Sequence, residues 1–232
     1  MNWIYETTLK NNKKIQFRTL NLEDINEILS LQNIVIDSLE NKLILQPLSD
    51  EEYRYILDGK GIMVGAYDDE KLIAFRALMV PPIDNEHLGL DVGIDKSELK
   101  HVLYQEISNV HPNYRGNRLQ QRLAKIIMDQ FVPITNYKYI CCTVAPFNIP
   151  SMKDKFRQRM QIAALKNKYD NRLRYIFVKN LAEATESDWK NTKLVDLSNI
   201  EKQKSLLSDG WRGLDMLKVN DKYKIKFGKN YR

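Results

Sequence analysis

The sequence is poor in the residues that form disulfides and metal centres. It holds two cysteines, the adjacent Cys141 and Cys142, and three histidines. Neighbours on a strand point to opposite faces, so these thiols are not expected to pair, and two thiols cannot build a thiolate zinc cluster. His87, His101 and His111 lack the i,i+4 spacing of a helical metal site. We therefore expect neither a disulfide framework nor a bound metal.

Long apolar runs and blocks of charge are also missing. No stretch of about 20 apolar residues could span a membrane, and residues 1–6 lack the basic-then-apolar order of a signal peptide. These absences predict a cytoplasmic protein. The net charge of +6 favours an anionic partner, which could be nucleic acid, a membrane or a polyphosphate cofactor. Because the cations are spread along the chain and no RNA-recognition motif occurs, a solvated surface accounts for most of this charge.

The 232 residues, 43% of them apolar, suffice for one full domain with a modest extension. Alternating apolar residues predict strands within 3–9 and 15–20. A helix with an apolar stripe follows the capping residue Asn21. A second, short helix begins with a capping box in which Ser49 is the cap and Glu52 lies three residues later.

The middle of the chain alternates between strands and helices. A hairpin is predicted over 62–78 and a strand over 101–110, with 83–100 as a loop between them. The apolar stripe within 119–131 predicts a helix, and 139–144 is a short apolar strand.

The last third is predicted to hold a helix within 151–160, two strands within 161–180, and a patterned tail. In the tail, Ser198 and Glu201 form another capping-box pattern, and 214–226 resembles a hairpin. This order of elements indicates an α/β (α+β) protein in which a mixed sheet has helices on both faces.

The most informative segment joins a strand to a helix. The strand ends at Val110, Pro112 breaks it, Arg115 and Gly116 form a turn, and a helix begins at once. The first N–H groups of a helix are unpaired and carry a positive partial charge, so such a loop can bind phosphate. The alternative is a plain strand-turn-helix connection with solvated arginines.

These residues carry a resemblance to a known family. The segment Val110-x-Pro112-x-Tyr114-Arg115-Gly116-Asn117, followed by Leu119 and Leu123, resembles the acetyl-CoA loop of the GNAT N-acetyltransferase superfamily. Residues 15–181 resemble the family's whole order of elements, and Asn148 resembles its second cofactor contact. The resemblance implies a mostly antiparallel central sheet flanked by helices, with residues 1–181 as the acyl-CoA-binding domain. Residues 182–232 would be a helix-plus-hairpin extension packed on it.

The sequence departs from the family pattern at two places. Arg118 and Gln120 stand where the family has glycine or alanine in the loop. Lys155 stands where the family often has the tyrosine that protonates the leaving thiolate, and Arg159 and Met160 replace the following Gly-Phe. No proton donor can therefore be assigned.

The resemblance implies direct attack of an amine on the thioester of acetyl-CoA. The amine needs a base, and Glu106 lies where the family often places one, with Tyr104 as a residue that lines the acceptor site. The alternative is that Glu106 faces solvent or pairs with Arg76 on the neighbouring strand. The implied cofactor contacts are backbone groups at the strand end and in the loop, plus one side chain, namely Asn109, Val110, Arg115, Gly116, Asn117, Arg118, Leu119, Gln120 and Asn148.

Three functions therefore stay open. The first is an N-acetyltransferase that acts on a primary amine of a small molecule or peptide. The second is a non-catalytic acyl-CoA-binding module, and the third is a nucleic-acid binder with a steep salt dependence. Asp91 and Asp95 would bind a cationic acceptor or belong to a solvated acidic loop. The tail would complete the acceptor site or form a dimer contact, in a monomer or a homodimer.

Overall fold

The computed structural model of the chain describes residues 2–10, 12–182 and 189–230. The strands are β1 Tyr5–Thr8, β2 Lys14–Thr19, β3 Gly61–Asp68, β4 Lys71–Met79, β5 Val102–Val110, β6 Tyr139–Val144, β7 Gln161–Lys168, β8 Arg172–Asn180, β9 Asn191–Asp196, β10 Arg212–Val219 and β11 Lys222–Lys229. The α-helices are α1 Ile25–Asp37, α2 Asp50–Tyr55, α3 Leu88–Asp91, α4 Leu119–Gln130, α5 Ile149–Arg157 and α6 Ile200–Ser208.

The chain divides into two compact units, and the first consists of Met1–Pro81 and Leu103–Asn136. Its strands β1 to β5 pair in chain order, each antiparallel to the next. Phe75 and Ala77 lie in a buried cluster with residues of α1 and α2. Arg76, between them, instead donates to the backbone oxygen of Gln120 in α4. Because neighbours on a strand point to opposite faces, the sheet of this unit is covered on both sides.

Two helix starts in the first unit match the sequence prediction. Asn21 and Asp24 form a capping box that opens one 3-10 turn before α1. Ser49 and Glu52 form the capping box of α2. These boxes satisfy backbone N–H groups that a helix start leaves unpaired, so short polar side chains fix where each helix begins.

The second unit consists of Pro82–Val102 and Tyr137–Arg232. Its strand order is β6-β8-β7-β10-β11-β9, and each of these pairs is antiparallel. The ring of Phe156 in α5 packs edge-to-face on Phe177. On the same face of β8, the hydroxyl of Tyr175 donates to Gln203 of α6 at 2.6 Å.

Several expectations for the second unit need correction. Residues 83–100 are not all loop, because they hold α3 and a 3-10 helix over Lys96–His101. The tail contains a strand, β9, that was not predicted. The cap of α6 is Asn199, whose side chain accepts from the N–H of Lys202, so Ser198 is not the cap.

The predicted domain boundary between residues 181 and 182 falls inside the second unit and stays a prediction. Residues 183–188 and 231–232 of the predicted extension lie outside the described residues. Within the described ranges, none of the helices has both the length and the apolar composition needed to cross a bilayer.

Candidate active site

The end of β5 leads into α4 through a short, well-bonded turn. One turn of 3-10 helix, Pro112–Tyr114, begins with His111, whose Nδ1 accepts from the N–H of Asn113 at 3.2 Å. His111 is only 9% exposed and packs edge-to-face against Tyr114. Burial lowers the pKa of His111, so the ring stays neutral and keeps this acceptor.

The loop backbone leaves the start of α4 uncapped. Gly116 has φ 82° and Arg118 has φ 58°, both in the left-handed region. The first backbone bond into the helix runs from the N–H of Arg122 to the oxygen of Arg118 at 3.0 Å. The N–H groups of residues 118–121 have no acceptor within the described part of the chain, and no side chain caps the helix. This arrangement suits a phosphate oxygen, because unpaired donors and the positive end of the helix dipole coincide.

Three arginines add positive charge around this helix start. Arg115 donates to the hydroxyl of Ser38 at 2.7 Å, and Arg122 donates to the hydroxyl of Thr7 at 2.6 Å. Arg118 is exposed. None of the three forms an ion pair with a carboxylate in the described residues, so their charge is available to an anion.

Glu106 lies at a bulge in β5. Ala77 pairs with Ile107 and Leu78 pairs with Gln105, so Glu106 is the extra residue with no partner on β4. In addition to desolvation, the charge of Glu52 raises the pKa of Glu106, and the charge of Glu106 raises the pKa of the Tyr53 hydroxyl. Because Glu52 and Tyr53 belong to α2, the carboxylate of Glu106 lies toward that helix. Desolvation by the surrounding protein, with a smaller contribution from Glu52, raises the pKa of Glu106 to about 7.

Arg76 does not neutralise Glu106. Its guanidinium donates to Oε1 of Gln105 at 2.6 Å and to the backbone oxygen of Gln120 at 3.2 Å. The side chain of Glu106 makes no hydrogen bond or ion pair with any residue that the structure describes. Its side chain is only partly buried. An unpaired carboxyl group with a pKa near neutrality and some solvent access has the properties of a general base.

Tyr104 shares the α2 side of the sheet with Glu106. It pairs with Met79, which packs against the cluster that contains Ile107 and Tyr53. Tyr104 is 8% exposed. It therefore packs beside the bulge and presents little of its surface to solvent.

Backbone groups at the end of β5 point away from β4. Ala74 pairs with Val110, and the N–H of the next residue, His111, donates to the oxygen of Ile73 at 2.8 Å. In an antiparallel ladder, residues with both groups bonded to the partner alternate with residues whose groups face the other way. The N–H and C=O of Val110 are therefore directed away from β4.

Asn148 and Lys155 belong to the second unit. Asn148 caps α5 by accepting from the N–H of Ser151 at 3.2 Å. Lys155 is buried with its Nζ 3.5 Å from the carboxylate of Asp154.

The acidic residues of 83–100 have partners in their own unit. Asp91 lies 2.8 Å from Lys166 and 2.7 Å from Lys168, and Asp95 accepts from the N–H of Ser97. These contacts give both carboxylates structural roles.

One polar feature of β5 was not anticipated. The side-chain amide of Asn109 and the hydroxyl of Ser108 are buried without a hydrogen-bond partner in the described residues. Asn109 was predicted to contact the cofactor through its backbone alone. A signal was present, because two adjacent polar residues interrupt an otherwise apolar strand end.

The strands and helices of this chain superpose on those of solved N-acetyltransferases, so the chain has the same fold. No family model matches the sequence, and no curated protein matches it either. The fold is shown by comparison with solved structures.

Arabidopsis thaliana NAA60 in complex with acetyl-CoA superposes with a TM-score of 0.58 and 17% identity, over 73% of this chain and 99% of that one. A chain of the NatC complex bound to Gag peptide and CoA superposes with a TM-score of 0.54 and 15% identity, over 72% of this chain and 99% of that one. An acetyltransferase of the GNAT family from Streptococcus pneumoniae superposes with a TM-score of 0.53 and 15% identity, over 72% of this chain and 99% of that one.

Proposed function

We propose that this chain is an acyltransferase that moves an acetyl group from acetyl-CoA to the primary amine of a small molecule or peptide. The observation that carries the proposal is the bulged, unpaired Glu106, whose pKa is raised to about 7 on the strand that leads to the uncapped start of α4. The acetyl-CoA in the Arabidopsis structure and the peptide and CoA in the NatC structure support these substrate classes.

The residues present fit the nucleotide end of coenzyme A. The unpaired N–H groups of residues 118–121 would hold the pyrophosphate. The guanidiniums of Arg115, Arg118 and Arg122, which no carboxylate of the described residues neutralises, would add to this binding. The outward-directed N–H and C=O of Val110 would pair with the extended pantetheine arm, as an added strand does. The side chain of Asn148 is proposed as a further contact, in addition to its role as a helix cap.

The chemistry requires an unprotonated amine, because an ammonium ion has no lone pair. Glu106 in its carboxylate form accepts the proton that the ammonium ion must lose, directly or through a water molecule. The amine nitrogen then forms a bond to the carbonyl carbon, the carbon–sulfur bond breaks, and coenzyme A leaves as its thiolate. The nitrogen loses its second proton to solvent, and the thiolate takes up a proton from solvent, so the products are the amide and free coenzyme A. A backbone N–H near Val110 would stabilise the negative charge that develops on the carbonyl oxygen.

The test is Glu106→Gln, which keeps the shape of the side chain and removes the base. We expect turnover, followed by mass spectrometry of the acetylated amine, to fall about 10²–10⁴-fold. The affinity for coenzyme A, measured by calorimetry, should be unchanged. The matched control Glu51→Gln changes an exposed carboxylate on α2 and should keep full activity. Full turnover in Glu106→Gln would reject the assignment of the base.

The pH dependence gives a second readout of the same assignment. Because Glu106 must be ionised to act, kcat/KM of the wild type should rise with pH and level off above about 7. In Glu106→Gln this rise should disappear, whereas Glu51→Gln should keep it. A wild-type profile that is flat from about pH 5 to 9 would contradict this role.

A non-catalytic acyl-CoA-binding module is the second candidate. It is favoured by Lys155, which stands at the tyrosine position of the family and is buried beside Asp154. Such a module would be stabilised by CoA thioesters in a thermal shift assay. It would acetylate none of a panel of peptide N-termini, lysine side chains and small amines. Detection of an acetylated product from any of these amines would decide in favour of the enzyme.

A further inference from the structure

The side chain of Asn109 is buried without a partner. The residue is 1% exposed, and neither Oδ1 nor Nδ2 has a hydrogen bond to any described residue. Asn109 pairs with Phe75 across β5 and β4, so it faces the apolar cluster that also contains Ile107. Both a donor and an acceptor are thus removed from water without compensation, which lowers the stability of the chain.

A second buried amide in the same unit shows what such a group does when it is satisfied. Gln32 of α1 is 4% exposed. Its Nε2 donates to the backbone oxygen of Leu48 at 2.9 Å, and its Oε1 accepts from the N–H of Leu48 at 3.0 Å and from Tyr53 at 2.6 Å. The side-chain amide of Gln32 therefore binds both the backbone N–H and the backbone C=O of a single residue, Leu48. Asn109 has the same donor and acceptor, but no backbone amide of the described residues binds them.

The position of Asn109 restricts which ligands could bind its side chain. It lies one residue before Val110, whose backbone groups point away from β4. In the described part of the first unit, the other buried polar side-chain atoms without a partner are the hydroxyl of the adjacent Ser108 and the Nε atoms of Arg18 and Arg122. Asn109 is the one of these residues in which two polar atoms, a donor and an acceptor, are both unsatisfied.

We propose that the side-chain amide of Asn109 recognises the amide groups of the pantetheine arm of coenzyme A. This inference rests on the proposed function. Three residues of extended strand separate Asn109 from Glu106, which corresponds to roughly 10 Å. The two amides of pantetheine lie between about 4 and 10 Å from the sulfur along the extended arm. With the thioester beside Glu106, these amides come level with residues 107–109, where Nδ2 donates to a carbonyl and Oδ1 accepts an N–H.

The test uses Asn109→Leu, which keeps nearly the same shape and removes both polar atoms. Without ligand, the variant should melt about 2–6 °C higher than the wild type, because an unpaired buried amide is gone. Its Kd for coenzyme A, measured by calorimetry, should rise about 10-fold or more. The control Gln32→Met should instead melt lower, because that amide is fully bonded.

A second ligand, ADP, distinguishes recognition of the pantetheine arm from recognition of the nucleotide. ADP carries the pyrophosphate without pantetheine, so Asn109→Leu should bind ADP as the wild type does. Equal weakening for coenzyme A and ADP would show a general structural effect and overturn the proposal. So would unchanged affinity for coenzyme A, or a loss of affinity confined to an acceptor peptide. If the wild type binds neither coenzyme A nor ADP, the proposed function itself fails, which is a different result.

Discussion

At the scale of single residues, the proposed base Glu106 also affects stability. The pKa of a free glutamate, 4.5, rises to about 7 in the folded chain. The folded state therefore holds this proton more tightly than the unfolded state, and the associated stability is complete below pH 4.5 and is lost as pH rises through about 7. With about 1.4 kcal/mol per pKa unit, the ionised group costs at most about 3.5 kcal/mol above neutral pH.

This cost predicts a pH-dependent effect of Glu106→Gln on stability. At about pH 8.5 the variant should be more stable than the wild type, because its neutral amide avoids the buried charge. The difference should nearly vanish at about pH 4, where the glutamate is mostly protonated in both the folded and the unfolded state. Urea unfolding at both pH values measures it. An equal difference at both pH values, or the same trend in Glu51→Gln, would argue against a raised pKa.

The sequence identified Glu106 but could not determine its surroundings. The resemblance to the N-acetyltransferase family implied a base at Glu106, and the alternative was a pair with Arg76 on the neighbouring strand. Strict alternation from Ser108 would place Glu106 on the face of Arg76. One extra residue in β5 turns the carboxylate toward α2, and a bulge of this kind depends on tertiary packing that no local pattern records.

At the scale of elements, the start of α4 depends on left-handed backbone positions. Gly116 has φ 82°, and a Cβ added there would meet nothing within 4 Å. Gly210, after α6, has φ 81° and equally open surroundings. Substitution at either site therefore carries only the backbone cost of the left-handed conformation, about 1–2 kcal/mol.

These two glycines make a matched pair for an experiment. Gly116→Ala and Gly210→Ala should lower the free energy of unfolding by similar amounts, about 1–2 kcal/mol each. Only Gly116→Ala should also weaken the binding of coenzyme A, because it distorts the loop that presents the N–H groups. Calorimetry and urea unfolding provide the two measurements. Equal coenzyme A affinity in both variants would mean that the loop does not hold the pyrophosphate.

Elements with strong local signals were predictable. The strand 139–144 and the capping box of Ser49 and Glu52 are found as predicted. The strand β9 was missed because three of its six residues are exposed and only Val195 is buried, so it shows no alternation. The cap of α6 was misplaced by one residue, because Ser198 and Asn199 are both good capping residues and sequence does not rank them.

At the scale of the molecule, the C-terminal tail is part of the core of the second unit. Gly213 of β10 pairs with Ile162 of β7, and a Cβ on this glycine would lie 2.9 Å from Cβ of Ile162. Gln203 of α6 is fully buried and bonds Tyr175 of β8 and the backbone oxygens of Asp196 and Leu197. Removing the tail would expose these surfaces together.

A chain that ends at residue 181 should therefore lose cooperative folding. Circular dichroism should show a broad melt, and size-exclusion chromatography should show aggregation, because the exposed edge of β7 and the face around Tyr175 are apolar. Removing only residues 231–232 provides the control and should leave the melt unchanged. A chain of residues 1–181 that melts sharply within a few degrees of the full chain would identify the tail as an independent appendage.

The adjacent cysteines of β6 have a practical consequence for testing the proposed acetyl transfer. Cys141 and Cys142 are almost fully buried and form no disulfide, and burial raises the pKa of the Cys141 thiol. Thiol reagents attack the thiolate, so they react poorly with groups that are shielded and protonated. A colorimetric reagent present during turnover would therefore count the sulfur of each coenzyme A set free, with little background from the folded protein itself.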